Sequence, residues 1–294
     1  MKTIINHFIE VVNREGLRPK LTLIVINAKI FKISGSMSFY RKAPHEPINP
    51  IENKGKEMNI ALIIAGGVGA RMQQDIPKQF INVKDKPVIV YTLEAFQNHP
   101  EIDAIEVVCL EGWHDVLRAY ARQFGIAKLE NVVCGGDVGQ ASIRNGLYDI
   151  RTRHQDADDI VLIHDAIRPM VSKEIISENI RVCREMGNAI TVVPCTAAML
   201  KTYDSVSSDS QVPRDNLKIT QTPQTFFLED IIAAHKEALE KGITNSVASC
   251  TMYIELGKKL YLAQGSEKNL KLTTAEDIEI FKALLDAKKD YWMH

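Results

Sequence analysis

Apolar positions along the chain alternate between short continuous runs and longer stretches with helical spacing. The short runs predict β-strands at 60–64, 105–109, 131–134, 160–164 and 189–193. Between them, apolar residues recur with helical spacing at 87–98, 112–124, 141–153 and 172–186. Near-continuous apolar strands that alternate with helices are typical of a parallel sheet with helices on both faces. The pattern therefore predicts an α/β fold with a Rossmann-like, mostly parallel sheet, in which ligands bind at the carboxyl ends of the strands.

The alternation stops after Pro194. Residues 195–221 are polar, contain β-branched residues and lack helical spacing, which favours a β-hairpin arm that projects from the domain. The alternative is a long surface loop, although loops beyond about 15 residues are uncommon unless they have a function. A helix at 229–241, a strand at 259–263 and a helix at 275–285 complete a predicted domain at 58–294.

The first part of the chain, residues 1–57, differs from this domain. It combines one strand-like run with a polar segment containing three prolines, which is typical of a linker. We interpret it as a loosely ordered N-terminal extension of unknown role. Met58, directly before the first strong strand, is one candidate start of translation.

Charge and composition narrow the class of protein. The chain carries 36 basic and 37 acidic side chains, a formal net charge of −1, whereas nucleic-acid-binding proteins usually carry a basic excess. Its five cysteines are widely spaced and form no C-x-x-C pair, which argues against a disulfide framework or a zinc site. No apolar run reaches the roughly 18 residues of a membrane span. These features predict a cytoplasmic protein that binds neither nucleic acid nor a membrane.

A glycine-containing loop follows the first predicted strand, in the stretch LIIAGGVGARMQQDIPKQF at residues 62–80. It is not a P-loop, because no Lys-Ser or Lys-Thr pair follows the glycines, and Met72 stands where a dinucleotide-binding loop has its third glycine. What remains is a glycine turn whose backbone N–H groups can bind an anion, with Arg71 and Lys78 as cations beside it. On these residues alone, a triphosphate site and an ordinary strand–loop turn explain the sequence equally well.

A second group of charged residues lies in LIHDAIRP, at residues 162–169. Asp165 ends a predicted buried strand, where a carboxylate is costly unless a cation uses it. A hard cation such as Mg²⁺ suits this position, and Arg168 can bind a phosphate with two parallel hydrogen bonds. The alternative is that Asp165 caps the next helix. We interpret His164 as structural.

Three further polar residues follow the predicted strands. Arg214 lies on the arm, Thr222 lies in a predicted turn with Pro223, and Lys271 separates the last strand from the last helix. Taken singly, each is also consistent with an ordinary solvated side chain.

Together these strings resemble a family. AGGVGARM, PKQF, GGDVGQAS, HDAIRP, QTPQTF and NLKLTTAEDI occur in this order between Met58 and Leu285. The region resembles the cytidylyltransferases that act on sugar-alcohol phosphates, which comprise ribitol-5-phosphate enzymes and 2-C-methyl-D-erythritol 4-phosphate enzymes. The resemblance implies a fold of the nucleotidyltransferase type, CTP and a sugar-alcohol phosphate as substrates, and a homodimer with interlocking arms.

The resemblance also implies roles for individual residues. CTP would be bound by Ala65, Gly66, Gly67, Gly69, Arg71, Lys78, Gly135, Gly136 and Ser142. The acceptor would be bound by Asp165, Arg168, Arg214, Thr222, Thr244 and Lys271, with Arg214 serving the neighbouring subunit's site. Arg71, Lys78 and Lys271 would be catalytic, and Asp165 would hold Mg²⁺.

Two stretches depart from the family pattern, and the acceptor is open. Many relatives carry an arginine where this chain has Gly139, and TNSVASC at 244–250 differs from their T-D-[DE]-[AC]-S. The AGG loop and Phe80 favour ribitol 5-phosphate over methylerythritol phosphate. Two other classes stay as alternatives: a nucleotide-binding protein without turnover, and an NAD-dependent oxidoreductase, which the missing third glycine disfavours.

Overall fold

The structure is a computed structural model of the 294-residue chain, and it describes residues 57–67 and 76–291, with side chains as far as residue 287. Gly69, Arg71 and all but the last residue of the predicted N-terminal extension lie outside the described residues.

The predicted alternation of strands and helices is present. The strands are β1 (Asn59–Ala65), β2 (Asn82–Val83), β3 (Lys86–Pro87), β4 (Ala104–Cys109), β5 (Leu129–Cys134), β6 (Ile160–Asp165), β7 (Asn188–Pro194), β8 (Met199–Lys201), β9 (Ser210–Val212), β10 (Lys218–Phe227) and β11 (Leu262–Gln264). The helices are α1 (Val88–Gln97), α2 (His114–Gln123), α3 (Gly139–Arg153), α4 (Lys173–Met186), α5 (Leu228–Glu240), α6 (Ser249–Glu255) and α7 (Ala275–Tyr291), and a 3₁₀-helix spans Lys78–Phe80. Within the described residues, no helix combines the length and apolar character needed to cross a bilayer.

A seven-stranded sheet with the strand order β11-β7-β10-β6-β1-β4-β5 forms the centre of the domain. Strand β1 pairs in parallel with β4 and β6, β4 with β5, and β7 with β11, whereas β10 is antiparallel to both of its neighbours. The prediction of a mostly parallel sheet is confirmed. Because β1 and β6 are adjacent and parallel, the loops that follow Ala65 and Asp165 leave the same edge of the sheet.

Helices cover both faces of this sheet, as predicted. Ala61 and Ile63 of β1 pack with α1, α2 and α4, whereas Ile60 and Leu62 pack with α3, α5 and α6. This division follows from the strand geometry, since successive side chains point to opposite faces. On the second face, α3 approaches the sheet closely at Gly146, where an added Cβ would lie 2.5 Å from Leu62 Cδ1.

One segment of the prediction is wrong. The sequence pattern predicts that the arm extends to residue 221 and that Thr222 lies in a turn. In the structure, however, Lys218–Phe227 forms β10, with a register shift between Thr220 and Gln224. The strand is polar because its buried side chains bond to other elements: Thr225 Oγ1 donates to Asn179 Oδ1, and Gln224 Oε1 accepts from the backbone N–H of Cys250. Helix α6 was also missed, since its seven residues are too short for a clear helical repeat.

The predicted hairpin is present in the preceding segment. Strands β8 and β9 pair antiparallel, from Met199 opposite Val212 to Lys201 opposite Ser210. Every residue of β8 is exposed. The hairpin therefore lies outside the core of the domain.

A buried carboxyl group interrupts the second face of the sheet. Glu106 of β4 is 1% exposed and contacts the guanidinium group of Arg153 of α3, which also binds Asp149. Burial, and then the nearby charge of Asp149, raise the pKa of Glu106 to about 8 from its ordinary value of 4.5, although Arg153 opposes the shift. Folding therefore favours the protonated form of this carboxyl group.

We expect Glu106 to make folding stability fall with rising pH. Between about pH 4.5 and 8 the unfolded chain releases this proton and the folded chain retains it, so the free energy of unfolding decreases across that window, by about 4 kcal/mol. Glu106→Gln should remove this slope, measured by urea denaturation at pH 5 and pH 8. Glu111→Gln, at an exposed position, is the control and should keep it. Equal slopes in the Glu106 variant and the unaltered protein would refute the assignment.

Candidate functional site

A cavity of about 640 Å³ opens at the edge of the sheet where β1 and β6 end. Its wall contains Ala65, Gly66 and Gly67 after β1, and Asp165 and Arg168 at the end of β6. The other lining residues on which the site depends are Lys78, Gly136, Ser142, Thr222 and Lys271. The sheet topology thus gathers residues from distant parts of the sequence, as expected for the carboxyl edge of parallel strands.

The main charged group of this cavity is a carboxylate between two cations. Lys271 Nζ lies 3.0 Å from Asp165 Oδ1, and Arg168 Nε donates to Asp165 Oδ2 at 3.1 Å. Burial would raise the pKa of Asp165, but Lys271 and then Arg168 hold it below its usual range. Asp165 is therefore ionised at neutral pH, and it holds both cations at the carboxyl end of β6.

A network of backbone contacts fixes these cations in place. Arg168 Nη1 donates to the carbonyl of Asn269 at 2.7 Å, and Asn269 Nδ2 donates to the carbonyl of Thr222 at 2.8 Å. The N–H of Leu272 donates to the carbonyl of Ile167 at 2.9 Å. The segment that carries Lys271 is therefore tied both to the end of β6 and to β10.

Thr222 and His164 form a chain of hydrogen bonds that begins at the backbone N–H of Asp165. The Thr222 hydroxyl accepts from the N–H of Asp165 and lies 3.1 Å from His164 Nδ1, while His164 Nε2 lies 3.2 Å from the carbonyl of Arg168. A carbonyl only accepts, so Nε2 carries the proton and Nδ1 accepts from Thr222. Burial lowers the pKa of His164 to about 4, so its ring is neutral. The contacts fit the interpretation of His164 as structural.

The glycine loop is held by a buried glutamine. Gln79 Nε2 donates to the carbonyl of Ala65 at 2.7 Å and to that of Gly67 at 3.2 Å. Lys78, the neighbour of Gln79 on the 3₁₀-helix, lines the same cavity as these glycines. The PKQF stretch therefore anchors the glycine loop and brings a lysine to it.

A second glycine pair packs against the first. Gly136 N donates to Ser142 Oγ at 3.0 Å, and an added Cβ on Gly136 would lie 2.6 Å from Ala141 Cβ. A Cβ on Gly135 would lie 3.2 Å from Ser142 Oγ and 3.7 Å from the Gly66 Cα atom. The tight contacts are those with Ala141 and Ser142, so Gly136 above all allows α3 to approach this loop.

Most of the residues predicted for the site converge, and some do not. Gly135 is not among the lining residues, although a Cβ on it would lie 3.7 Å from the Gly66 Cα atom. Arg214 is exposed between β9 and β10, where it donates to the carbonyl of Thr196. Thr244 is exposed and is not part of the lining. Gly69 and Arg71 lie outside the described residues, so their roles stay predictions.

Several lining residues were missed from the sequence. Gln79, Gln221 and Gln224 stood inside quoted motifs without an assigned role, and His235, Ser246 and Ser249 were not singled out. The one available signal for His235 was its place on the apolar stripe of α5, among Leu228, Ile231, Ile232 and Ala238. A polar residue on such a stripe is more often structural than functional.

Metal binding at this site would rest on one carboxylate. Among the described residues, no group of three or more His, Cys, Asp or Glu side chains has the arrangement of a metal site. Each oxygen of Asp165 accepts one hydrogen bond from a cation and keeps further lone-pair capacity. Asp165 can therefore act as a single ligand to an ion whose other ligands come from a substrate, as is usual for Mg²⁺ on nucleotides.

Known proteins share this sequence pattern. The family model described as IspD, 2-C-methyl-D-erythritol 4-phosphate cytidylyltransferase, matches residues 59–287. A ribitol-5-phosphate cytidylyltransferase of Lacticaseibacillus paracasei is 42% identical over 234 residues, which are 79% of this chain and all of the relative. A 2-C-methyl-D-erythritol 4-phosphate cytidylyltransferase of Clostridium botulinum is 37% identical over 230 residues, 78% of this chain and 97% of the relative.

The fold is shared with solved structures of the same kind. The 4-diphosphocytidyl-2C-methyl-D-erythritol synthase of Anaerococcus prevotii matches with a TM-score of 0.67 and 25% identity, over 78% of this chain and 96% of that one. The likeness confirms the nucleotidyltransferase type of fold predicted from the motifs.

We expect Lys271→Met to raise the pKa of Asp165, because one of the two charges that stabilise its ionised form is lost. The carboxyl carbon resonance of Asp165, followed by NMR from pH 2 to 7, measures the change. Lys268→Met is the matched control, since Lys268 is an exposed lysine of the same segment, and it should leave the titration unchanged. An unchanged titration in Lys271→Met would show that the two side chains do not interact in solution.

Proposed function

This chain belongs to the IspD family of cytidylyltransferases, and on that premise we propose that it transfers CMP from CTP to D-ribitol 5-phosphate. The products are CDP-ribitol and pyrophosphate. The observation that carries the proposal is the convergence of Lys78, Lys271, Arg168 and Asp165 on one cavity, next to two glycine loops. Such a cavity suits two anionic substrates that must be brought together.

The choice of ribitol 5-phosphate rests on the relatives. The relative named for ribitol 5-phosphate is more similar to this chain than the one named for methylerythritol phosphate, and both are covered over nearly their whole length. Methylerythritol phosphate is the alternative acceptor. The proposed product would be a precursor for teichoic acid or capsule polysaccharide, and the use of CTP places such an enzyme in the cytoplasm.

The chemistry needs no protein nucleophile. An oxygen of the acceptor phosphate forms a bond to the α-phosphorus of CTP, and the bond from that phosphorus to the bridging oxygen breaks. Pyrophosphate leaves with the electron pair. A phosphate monoester has its second pKa near 6, so the attacking oxygen is already ionised near neutral pH. The barrier lies in bringing anions together and in the charge that builds up at the α-phosphoryl group.

The cations of the cavity address this barrier. Lys78 beside the glycine loop would bind the triphosphate, together with Arg71, the role that the family resemblance gives it. Lys271 and Arg168, held by Asp165, would bind the acceptor phosphate and the reacting phosphoryl group. Because these cations are fixed by the network around Asn269 and Thr222, little reorganisation is required when substrate charge develops.

Mg²⁺ fits this arrangement as a companion of CTP. Asp165 and the triphosphate oxygens would hold it. When bound, Mg²⁺ neutralises charge on the phosphates. That the reaction requires Mg²⁺ is part of the proposal.

The proposed function predicts a clear preference between acceptors. With CTP and Mg²⁺, we expect CDP-ribitol formation with a kcat/KM about 10-fold or more above that for methylerythritol phosphate. Pyrophosphate release, with the CDP product identified by mass spectrometry, measures both reactions side by side. A preference for methylerythritol phosphate would support the alternative acceptor, and no release with either would refute the activity.

A control excludes contaminating enzymes of the expression host. Lys78→Met and Lys271→Met should each lower kcat by about 10²–10³-fold, the effect of losing one preorganised charge at a reacting group. Lys268→Met, purified in the same way, should retain full turnover. Circular dichroism confirms that the variants fold.

We also propose that two copies associate through the hairpin arms. Large apolar side chains are exposed there: Met199, Leu200, Tyr203 and Val206 are 42%, 69%, 84% and 91% exposed. Exposed apolar side chains that cluster on one projecting element mark an interaction surface. Arg214, at the base of the same arm, would then reach the neighbouring copy's cavity.

Mixed dimers test this assignment of Arg214. Arg214→Ala and Lys271→Met should each be nearly inactive, and an equal mixture allowed to exchange subunits should recover about a quarter of the active sites, because one site per mixed dimer is intact. The measurement is CDP-ribitol formation, with the dimer mass checked by light scattering. A mixture as inactive as its components would place Arg214 in its own subunit's site or outside catalysis. A monomeric protein would refute the arm proposal itself.

A further inference from the structure

One part of the cavity contains buried polar side chains that the reaction described above does not use. His235 of α5, Ser246 and Ser249 line it, and they are only 1%, 9% and 4% exposed. Both ring nitrogens of His235 and the hydroxyl oxygens of both serines have no hydrogen-bond partner among the described residues. We call these three residues the histidine pocket. Buried polar groups are nearly always hydrogen-bonded, so a ligand or ordered water is expected here.

The pocket is built on rigid elements. Gln140 of α3 donates to the carbonyl of Ile243 at 2.7 Å, and its Oε1 accepts from the N–H of Ser246 at 2.8 Å. Gln224 of β10 accepts from the N–H of Cys250 at 2.9 Å. The loop before α6 is thus fastened at both ends.

The chemistry of the pocket suits hydroxyl groups rather than phosphate. Burial, with a smaller effect from Arg144, lowers the pKa of His235 to about 4, so the ring is neutral and offers one donor and one acceptor. The serine hydroxyls also donate and accept. Phosphate oxygens only accept and favour cations, which this cavity presents at Lys78, Arg168 and Lys271 instead. An alkyl hydroxyl can use a donor and an acceptor together.

The pocket also adjoins β10, the strand that carries Thr222. Gln224, which fastens α6, is two residues from Thr222, and the Thr222 hydroxyl contacts the backbone of Asp165. Apolar neighbours Ala248 and Met252 line the cavity with the histidine pocket, as suits the carbon chain of a polyol. Resting on the proposed function, we infer that His235, Ser246 and Ser249 bind hydroxyl groups of the acceptor's carbon chain and so select a polyhydroxylated acceptor.

Kinetics with substituted His235 test the inference. We expect His235→Leu to raise the KM for ribitol 5-phosphate by about 10-fold or more, with the KM for CTP changed less than about 3-fold. His235→Gln, which keeps a donor and an acceptor, should recover much of the loss. His99→Gln is the matched control, since His99 is equally buried but bonds to the carbonyl of Lys173 and is not among the cavity-lining residues, and it should leave both constants unchanged.

Deoxy analogues of the acceptor separate contact from packing. If His235 binds a hydroxyl, at least one monodeoxyribitol 5-phosphate should react poorly with the unaltered protein, and its disadvantage should shrink in His235→Leu. Equal disadvantages in both proteins would assign His235 a packing role and overturn the inference. A rise in the KM for CTP alone would place the nucleotide in the pocket, which also overturns it.

The inference and the proposed function can be refuted independently of each other. If the unaltered protein uses methylerythritol phosphate instead, the same comparison is made with that acceptor and its deoxy analogues. If neither acceptor reacts, calorimetric titration with ribitol 5-phosphate and with inorganic phosphate decides the matter. Weaker binding of ribitol 5-phosphate in His235→Leu, with unchanged binding of phosphate, would support the pocket. Equal weakening of both, or no difference, would overturn it.

Discussion

The arrangement of the site depends on the ionised carboxylate of Asp165. It ends a central strand and accepts from Lys271 on one oxygen and from Arg168 on the other. A carboxylate at the end of a buried strand is stable only with such partners, and it positions them together with the backbone contacts of Arg168 and Leu272. The site thus joins three segments far apart in the sequence: the end of β6, the register shift in β10, and the loop before α7. All three contribute residues to the cavity lining.

The fold could be predicted largely because its core is apolar. Strands such as β1 and β6 are continuous apolar runs, and a run of that kind has few alternatives in an α/β chain. β10 was not recognised, because Gln224 and Thr225 satisfy their polar groups inside the protein, through Cys250 and Asn179. A hydrophobic pattern reveals a buried strand only when the buried side chains are apolar. A strand whose buried polar groups pair with distant residues is invisible until those residues are placed.

Site residues could be predicted from the sequence where a local feature, such as a glycine in a loop or a charge at the end of a strand, marks them. Gly136 allows the close approach of α3, and Asp165 is a charged residue at the end of a buried strand. Thr244 was assigned through a motif that this chain carries in altered form, and the side chain is exposed away from the lining. His235 could not be found, since a histidine on the apolar stripe of a helix has the same pattern whether its ring is satisfied in the core or open to a cavity. Only the missing partners distinguish the two.

One of the two features that suggested the acceptor, Phe80, is not among the residues that line the cavity. Phe80 favoured ribitol 5-phosphate by resemblance, yet it is 4% exposed and stacks on Trp113 with ring centroids 4.5 Å apart. It packs with the helices on one face of the sheet, whereas α5 and α6 pack on the other. Phe80 is thus a feature that this chain shares with related enzymes, but its side chain is packed in the core and does not line the cavity. A difference of one hydroxyl or methyl group must be read by groups that line the cavity, and a pocket built to bond hydroxyls discriminates most strongly, because an acceptor that lacks one leaves buried polar groups unpaired.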